Sequence, residues 1–159
     1  MKFIRSVFII VMAMFLSPMA LSDNHSSNQG DVSEVMAVVE KWAALESDLR
    51  AQAELIRDDR VQISQGIRQS DQAGNLAVQL LKHDARVEFW GGEPMMMVRI
   101  EDPLVRVYGD VAVASFVRLF DVAPPGERPG STGKAWFSLV LVKERGEWKI
   151  AHNHVSAAN

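Results

Sequence analysis

The sequence predicts an α+β domain in which a long N-terminal helix and shorter helices pack on one face of a curved antiparallel sheet. In the first half of the chain, apolar residues recur every three or four positions, which is the period of a helix. From Ala85 onwards, β-branched and aromatic residues dominate and the apolar spacing falls to two, the period of a strand. The turns at Gly109–Asp110 and Arg145–Glu147 are short enough to join antiparallel neighbours. Helices followed by strands, rather than alternating with them, are typical of the α+β class.

The segment Met1–Ser22 has the order of a secretory signal peptide. Lys2 and Arg5 precede an unbroken apolar run over Val7–Leu16, and small residues follow, which predicts cleavage before Asp23. This run is too short to cross a hydrocarbon core, which takes about 20 helical residues. We therefore expect a periplasmic or secreted protein with no stable membrane anchor after cleavage.

The rest of the chain is expected to form a flexible leader over residues 23–30 and one domain over residues 31–159. The predicted signal peptide carries two of the 17 basic residues and none of the 20 acidic ones, so the mature chain has a formal charge of −5. A negative chain of this kind argues against a nucleic-acid partner. The sequence contains no cysteine, which excludes disulfides, thiol chemistry and cysteine-ligated metals.

Three helices are predicted before the sheet. The first begins at Asp31, which can cap it together with Glu34, and its apolar stripe continues to Ile56. A second helix over Arg60–Arg68 and a turn over Ser70–Asn75 follow. A short third helix contains Leu76, Leu80 and Leu81.

Six strands are predicted after the helices. They are Ala85–Trp90, Met95–Ile100, Leu104–Tyr108, Val111–Val122, Ala135–Val142 and Trp148–Val155. The long strands are apolar at both parities, so both faces of the sheet are expected to meet an apolar surface. Since the helices cover only one face, we expect the other to pack on a second copy of the chain as a homodimer.

Two segments near the C-terminus resemble a known superfamily. They are VRVYGDVAVASF (Val105–Phe116) and WFSLVLVKERGEWKIAHNHVS (Trp136–Ser156). They are similar to the C-terminal half of nuclear transport factor 2-like domains, and within these to the SnoaL-like proteins. The resemblance implies a cone-shaped fold with an apolar pocket between a long helix and a bent sheet, often in a dimer. Members of the superfamily include isomerases, cyclases and dehydratases, so the fold alone does not define the chemistry.

His152 and His154 are the candidate catalytic residues, with Asp84 as a third. The two histidines are two residues apart on a predicted strand, which places them on one face beside Trp148 and Ile150. Such a pair can act as acid and base near neutral pH, and Asp84 can act as a base if it is buried. The alternative interpretation is that the histidines form hydrogen bonds across the sheet. No third ligand follows from the spacing, so we expect neither a metal site nor a cofactor.

The candidate ligand-binding residues are aromatic or cationic. They are Trp42, Trp90, Phe116, Arg118 and Trp148. The aromatic side chains suit the wall of a pocket for an apolar ligand, although core packing explains each of them equally well. Arg118 lies between two phenylalanines, where its charge must reach solvent or meet an anion. The anion can be an acidic side chain of the protein or the carboxylate of a ligand.

The sequence therefore predicts an exported SnoaL-like domain that binds a small, largely apolar molecule in a cone-shaped pocket. One alternative is an enzyme of the isomerase, dehydratase or cyclase type that uses histidine and aspartate as acid and base. A second alternative is a dimeric assembly module that binds no ligand.

Overall fold

A computed structural model describes residues 24–158, in which three helices pack against one six-stranded sheet. The helices are α1 (Asn24–Ala44), α2 (Leu49–Ala53) and α3 (Gln72–Trp90). The strands are β1 (Ile56–Ser64), β2 (Ile67–Gln69), β3 (Met95–Tyr108), β4 (Val111–Ala123), β5 (Gly133–Glu144) and β6 (Glu147–Ala157). The predicted α+β class is confirmed, and the predicted signal peptide lies outside the described residues.

The strand order in the sheet is β2-β1-β6-β5-β4-β3. Every neighbouring pair is antiparallel except β1 and β6, which run parallel. Strands β3 to β6 follow one another as antiparallel neighbours. As the sequence predicts, a turn at Gly109–Asp110 joins β3 to β4 and a turn at Arg145–Gly146 joins β5 to β6. The sheet is therefore a curved, mostly antiparallel meander to which the β1–β2 hairpin is added by a long crossover.

Helix α1 supplies one side of the hydrophobic core. Its residues Val35, Val39 and Trp42 are spaced by four and three positions, so they share one face, and all three are buried. They pack on the sheet face that carries Phe116, Phe137, Leu139, Leu141 and Ile150. We call this the inner face and the opposite one the outer face. The Trp42 ring lies 5.6 Å from that of Phe137, between ring centroids.

The observed helix α1 ends earlier than the sequence predicts and also begins earlier. It ends at Ala44, and a turn separates it from α2, where the Asp48 side chain accepts a hydrogen bond from the Ala51 amide at 3.0 Å. At the other end α1 begins at Asn24, so it includes residues 24–30, where the sequence predicts a flexible leader.

The predicted helix over Arg60–Arg68 is wrong, because this stretch forms most of the β1–β2 hairpin. Val61 and Ile63 are two residues apart and therefore share a face of a strand. Gln65 and Gly66 both have positive φ, at 52° and 76°. Two such residues form the kind of tight turn that matches the twist of a hairpin, and glycine adopts this conformation without strain.

The predicted strand Ala85–Trp90 is also wrong, since it is the C-terminal part of α3. The helix begins after Asp71, whose carboxylate accepts hydrogen bonds from the amides of Ala73 and Gly74 at 3.1 and 3.0 Å. It ends at Gly91, which adopts a left-handed conformation with φ of 70°. These two caps enclose a helix of 19 residues, which replaces the predicted turn, short helix and strand.

Candidate functional site

A cavity of about 220 Å³ lies between the helices and the inner face of the sheet. We call it the Arg60 cavity. Its volume is somewhat below the roughly 300–1,000 Å³ of pockets that hold drug-sized ligands, so the cavity suits a smaller organic molecule. Its apolar wall consists of Trp42, Ile56, Phe137, Leu139, Ile150 and Val155. Its charged side chains are Glu46, Arg60 and Arg118, and its amides are Gln52, Gln62, Asn75, Gln79 and Asn153.

Arg60 is a buried cation that no carboxylate of residues 24–158 contacts. The residue is only 2% exposed. Its Nη1 donates hydrogen bonds to the side-chain oxygens of Gln62 and Asn153, the latter at 2.6 Å. Its Nε and Nη2 are buried and find no acceptor in the described part of the chain. Burial lowers the pKa of Arg60 from its ordinary value, but a guanidinium remains protonated in proteins.

An irregularity in β1 carries Arg60. Ile56 pairs with Ile150 and Val61 pairs with His152, so residues 57–60 stand opposite Ala151 alone. The extra residues distort the strand, and such distortions re-aim side chains. Ile56, Arg60 and Gln62 all line the same cavity, so they point to the same side of the strand.

Arg118, which also lines the cavity, is surrounded by three aromatic rings. Its Cζ lies 5.5 Å from the ring centroid of Trp42, 4.8 Å from that of Phe120 and 5.3 Å from that of Phe137. Its Nη2 is 2.8 Å from Oε2 of Glu46, which makes an ion pair. Among the described residues, neither Nη2 nor Nε of Arg118 has a hydrogen-bond acceptor, so Glu46 compensates its charge without accepting a hydrogen bond from it.

A second cavity of about 280 Å³ adjoins the first, and we call it the Lys82 cavity. The two cavities share four lining residues, Glu46, Gln62, Asn75 and Gln79. The Lys82 cavity is also lined by three basic or titratable side chains of α3, namely Lys82, His83 and Arg86. Nε2 of His83 lies 3.1 Å from Oε2 of Glu93, which gives this histidine an acidic neighbour.

The two candidate histidines do not share a face with Trp148 and Ile150, so that prediction is wrong. Leu141 pairs with Ile150 while Val140 pairs with His152, which leaves Ala151 as an extra residue, a β-bulge. A shift by one residue moves every later side chain to the opposite face. His152 and His154 consequently lie on the outer face, and Asn153 between them is buried at the Arg60 cavity.

The third catalytic candidate, Asp84, is also placed differently. It lies on α3 rather than at the start of a strand, and its side chain is exposed. Helix α3 is on the inner side of the sheet, where its Asn75 and Gln79 line the Arg60 cavity. The structure therefore does not bring Asp84 together with His152 and His154. Within residues 24–158, no group of three or more side chains has the arrangement of a metal site.

The five ligand-binding candidates divide into three groups. Trp42 and Arg118 line the Arg60 cavity. Phe116 and Trp148 are buried in the core, where Phe116 stacks on Phe137 with ring centroids 5.7 Å apart. Trp90 lies at the end of α3, where its ring centroid is 5.8 Å from Cζ of Arg86. It lines neither of the two cavities.

Comparison with protein families decides which family the chain belongs to. The sequence pattern of one family, the calcium/calmodulin-dependent protein kinase II association domain, matches residues 31–159. The chain belongs to the association-domain family. A search of the curated proteins found no match for this association domain.

Solved structures support the same fold for this association domain. The association domain of Caenorhabditis elegans calcium/calmodulin-dependent kinase II superposes with a TM-score of 0.65 at 18% identity, over 83% of this chain and 99% of that one. A putative association domain from Xanthomonas campestris gives 0.60 at 23% identity, over 79% and 86% of the two chains. A nuclear transport factor 2-like protein with a cystatin-like fold from Novosphingobium aromaticivorans gives 0.66 at 15% identity, over 82% and 84%. The predicted nuclear transport factor 2-like fold is confirmed, while the narrower resemblance to SnoaL-like proteins stays a prediction.

Sequence reasoning missed the residues at the centre of the site, Arg60, Gln62 and Asn153. The first two fell in a predicted helix, where they would belong to a solvated polar face. A signal for them was present, because Val61 and Ile63 alternate with Arg60 and Gln62 at the period of a strand. Asn153 could not be recognised, since its orientation depends on the bulge at Ala151.

Proposed function

We propose that this association domain is an exported, homodimeric module that binds a small organic anion with an apolar body in the Arg60 cavity. The observation that carries the proposal is the buried Arg60 guanidinium without a carboxylate partner. A buried charge that lacks compensation costs several kcal/mol even after relaxation. A site that keeps such a charge in its wall is well suited to an anionic ligand that compensates it.

The unpaired, buried edge of the Arg60 guanidinium indicates the kind of anion. Nε and Nη2 lie on one side of the planar guanidinium, and both lack an acceptor in the structure. A carboxylate binds this edge with two parallel N–H···O bonds, which gives both strength and a fixed orientation. Gln62 and Asn153 engage Nη1 on the other side, so they hold the guanidinium plane in place for that interaction.

The rest of the cavity suits an apolar body attached to the carboxylate. Trp42, Phe137, Leu139 and Ile150 line it, and all four are largely buried. Burying the apolar part of a ligand against such a wall contributes roughly 25 cal/mol for each Å² removed from water. The proposed ligand is therefore largely apolar, as the sequence predicts, and carries one anionic group in addition.

The test is a calorimetric titration with hexanoate, which has one carboxylate and a short apolar chain. We expect a dissociation constant on the order of 1 mM or tighter for the mature protein. Arg60→Met should weaken binding at least tenfold. Arg60→Lys keeps the charge but cannot donate two parallel hydrogen bonds to a carboxylate, so it should weaken binding less. Arg68→Met is the matched control, since Arg68 is exposed and lies outside the cavity.

Two results would contradict the proposal. One is an unmodified protein that shows no heat of binding and no shift in melting temperature at saturating hexanoate. The other is an Arg60→Met protein that remains folded, as judged by circular dichroism, and binds hexanoate as well as the Arg68→Met control does.

The outer face supports the homodimer part of the proposal. Across its middle, Val61, His152, Val140, Val113 and Arg106 form a continuous row on five adjacent strands. Large apolar side chains on this face are exposed, including Val113 at 38%, Trp136 at 43% and Leu104 at 50%. An apolar sheet face of this kind marks an interaction site. The printed description of the family as an association domain agrees with self-association.

Export rests on the sequence of Met1–Ser22, whose charge, apolar run and small residues have the order of a signal peptide. Among residues 24–158, no helix combines the length and the apolar character needed to cross a membrane.

A further inference from the structure

Three charged side chains line the Arg60 cavity, and their charges add to a single positive one. Arg60 and Arg118 each contribute one positive charge and Glu46 contributes one negative charge. Glu46 is 2.8 Å from Arg118 and therefore compensates that cation, whereas Arg60 is uncompensated. The cavity thus offers charge compensation for one anionic group and not for two.

Glu46 is fixed in place by more than its ion pair. Its Oε2 accepts a hydrogen bond from Nε2 of Gln52 at 3.1 Å, and the same nitrogen donates to the backbone oxygen of Trp42 at 2.8 Å. The Glu46 side chain is only 19% exposed and lines both the Arg60 cavity and the Lys82 cavity. A carboxylate is therefore held at the junction of the two cavities, facing any ligand that fills the first.

We infer that Glu46 is a specificity residue that restricts the Arg60 cavity to ligands with one negative charge. The inference rests on the proposed binding of organic anions and names the class of ligand as monocarboxylates. When one carboxylate of a ligand is on Arg60, the charged side chains of this cavity that remain for a second carboxylate are Glu46 and its partner Arg118. Two like charges in a partly buried site repel strongly because little water screens them. The charge of Arg118, the other cation of the cavity, is already compensated by Glu46.

The experiment compares hexanoate with adipate, which have the same six-carbon length but one and two carboxylates. Both are titrated into the mature protein and into the Glu46→Gln variant, which retains the shape of the side chain and an acceptor for Gln52. We expect the unmodified protein to prefer hexanoate. In the Glu46→Gln protein the affinity for adipate should rise at least tenfold, and more than the affinity for hexanoate.

Two further variants make the result specific. Glu40→Gln removes the same charge from an exposed position of α1 and should leave the adipate affinity unchanged, which controls for net charge. Glu46→Ala should show the same gain for adipate as Glu46→Gln, and it serves as the second variant if one of the two is poorly folded.

The outcomes separate this inference from the proposed function. If the unmodified protein binds hexanoate and both Glu46 variants gain no more for adipate than Glu40→Gln does, the role of Glu46 is overturned and the anion site stands. An unmodified protein that binds adipate as tightly as hexanoate also overturns the role of Glu46. If the unmodified protein binds neither anion, the anion site itself is overturned, and the inference with it.

Discussion

Lys143 connects the first helix to the sheet through two carboxylates. Its Nζ donates to Oδ1 of Asp31 at 2.7 Å and to Oε2 of Glu34 at 3.0 Å. The same ammonium lies 5.5 Å from the ring centroid of Trp148, whose Nε1 donates to Glu34 at 3.2 Å. The hydrogen bond to Asp31, followed by that to Glu34, raises the pKa of Lys143 above its ordinary value. The two acidic residues that the sequence suggests as a helix cap thus hold the helix on the sheet instead.

The raised pKa of Lys143 predicts the pH range in which this contact stabilises the fold. Because the pKa is higher in the folded than in the unfolded chain, the stabilisation is fully present below the ordinary value of 10.5 and is lost as pH rises through the folded value. Lys143→Met should therefore lower the melting temperature by a few degrees at neutral pH. The difference from the unmodified protein should narrow above pH 10.5.

Thermal melts at a series of pH values, with Lys134→Met as the control, test this prediction. Lys134 is on the same strand but exposed, so its loss should leave the melting temperature unchanged. Equal melting temperatures for Lys143→Met and Lys134→Met at neutral pH would show that the contact does not stabilise the fold.

At the scale of elements, the sequence predicts the hairpins of the C-terminal half well because their signals are local. Gly109 and Gly146 both have positive φ in the structure, at 63° and 86°, and each lies at a turn that the sequence identifies. The strands that these turns join are long and rich in β-branched and aromatic residues. Turn residues and a period of two are properties of a few neighbouring residues, so they can be recognised without knowledge of the tertiary contacts.

The elements that were predicted wrongly depend on signals that compete with each other. Val87, Phe89 and Trp90 have the composition of a strand, but Asp71 and Gly91 cap a helix that runs through them. Phe89 is 83% exposed, so its aromatic character reflects no burial in a sheet. The bulge at Ala151 has no comparable signal, since nothing in the sequence around it distinguishes an extra residue from a regular strand. The faces of the histidines and of Asn153 were therefore beyond prediction.

The leading apolar segment allows a direct test of export. Cleavage after Ser22 would give a mature chain that begins at Asp23. We expect Edman sequencing or mass spectrometry of the protein from the cell envelope or the medium to start within a few residues of Asp23. A variant in which Leu16 is replaced by Arg should accumulate as the full-length precursor. Full-length unmodified protein confined to the cytoplasm would refute export.

At the scale of the whole molecule, the outer face predicts how two copies meet. Val113 lies near the centre of this face, between Val140 and Arg106 on the adjacent strands. A glutamate at this position can pair with Arg106, but a face-to-face dimer would bury both charges, and their desolvation penalty can exceed what the pairing gains. We therefore expect Val113→Glu to convert the dimer to a monomer while the melting temperature of the protomer changes little.

Sedimentation velocity at about 50 µM, well above a micromolar dissociation constant, tests the dimer. The unmodified protein should sediment at twice the protomer mass and Val113→Glu at the protomer mass. Phe89→Glu is the control, because Phe89 is a more exposed apolar residue on α3, away from the outer face. A monomeric unmodified protein, or a dimer that survives Val113→Glu and is lost in Phe89→Glu, would contradict the proposed interface.

The parallel pairing of β1 with β6 has a consequence for the order in which the molecule can be assembled. A chain is synthesised from its N-terminus, yet its last strand, of 11 residues, is the third in the sheet and separates β1 from β5. Arg60 and its partner Asn153 are 93 residues apart, so their contact closes a long loop at a high cost in chain entropy. Helices and hairpins need no such closure. The Arg60 cavity, like the contacts of α1 with Lys143 and Trp148, can therefore form only after the last two strands of the sheet have been synthesised.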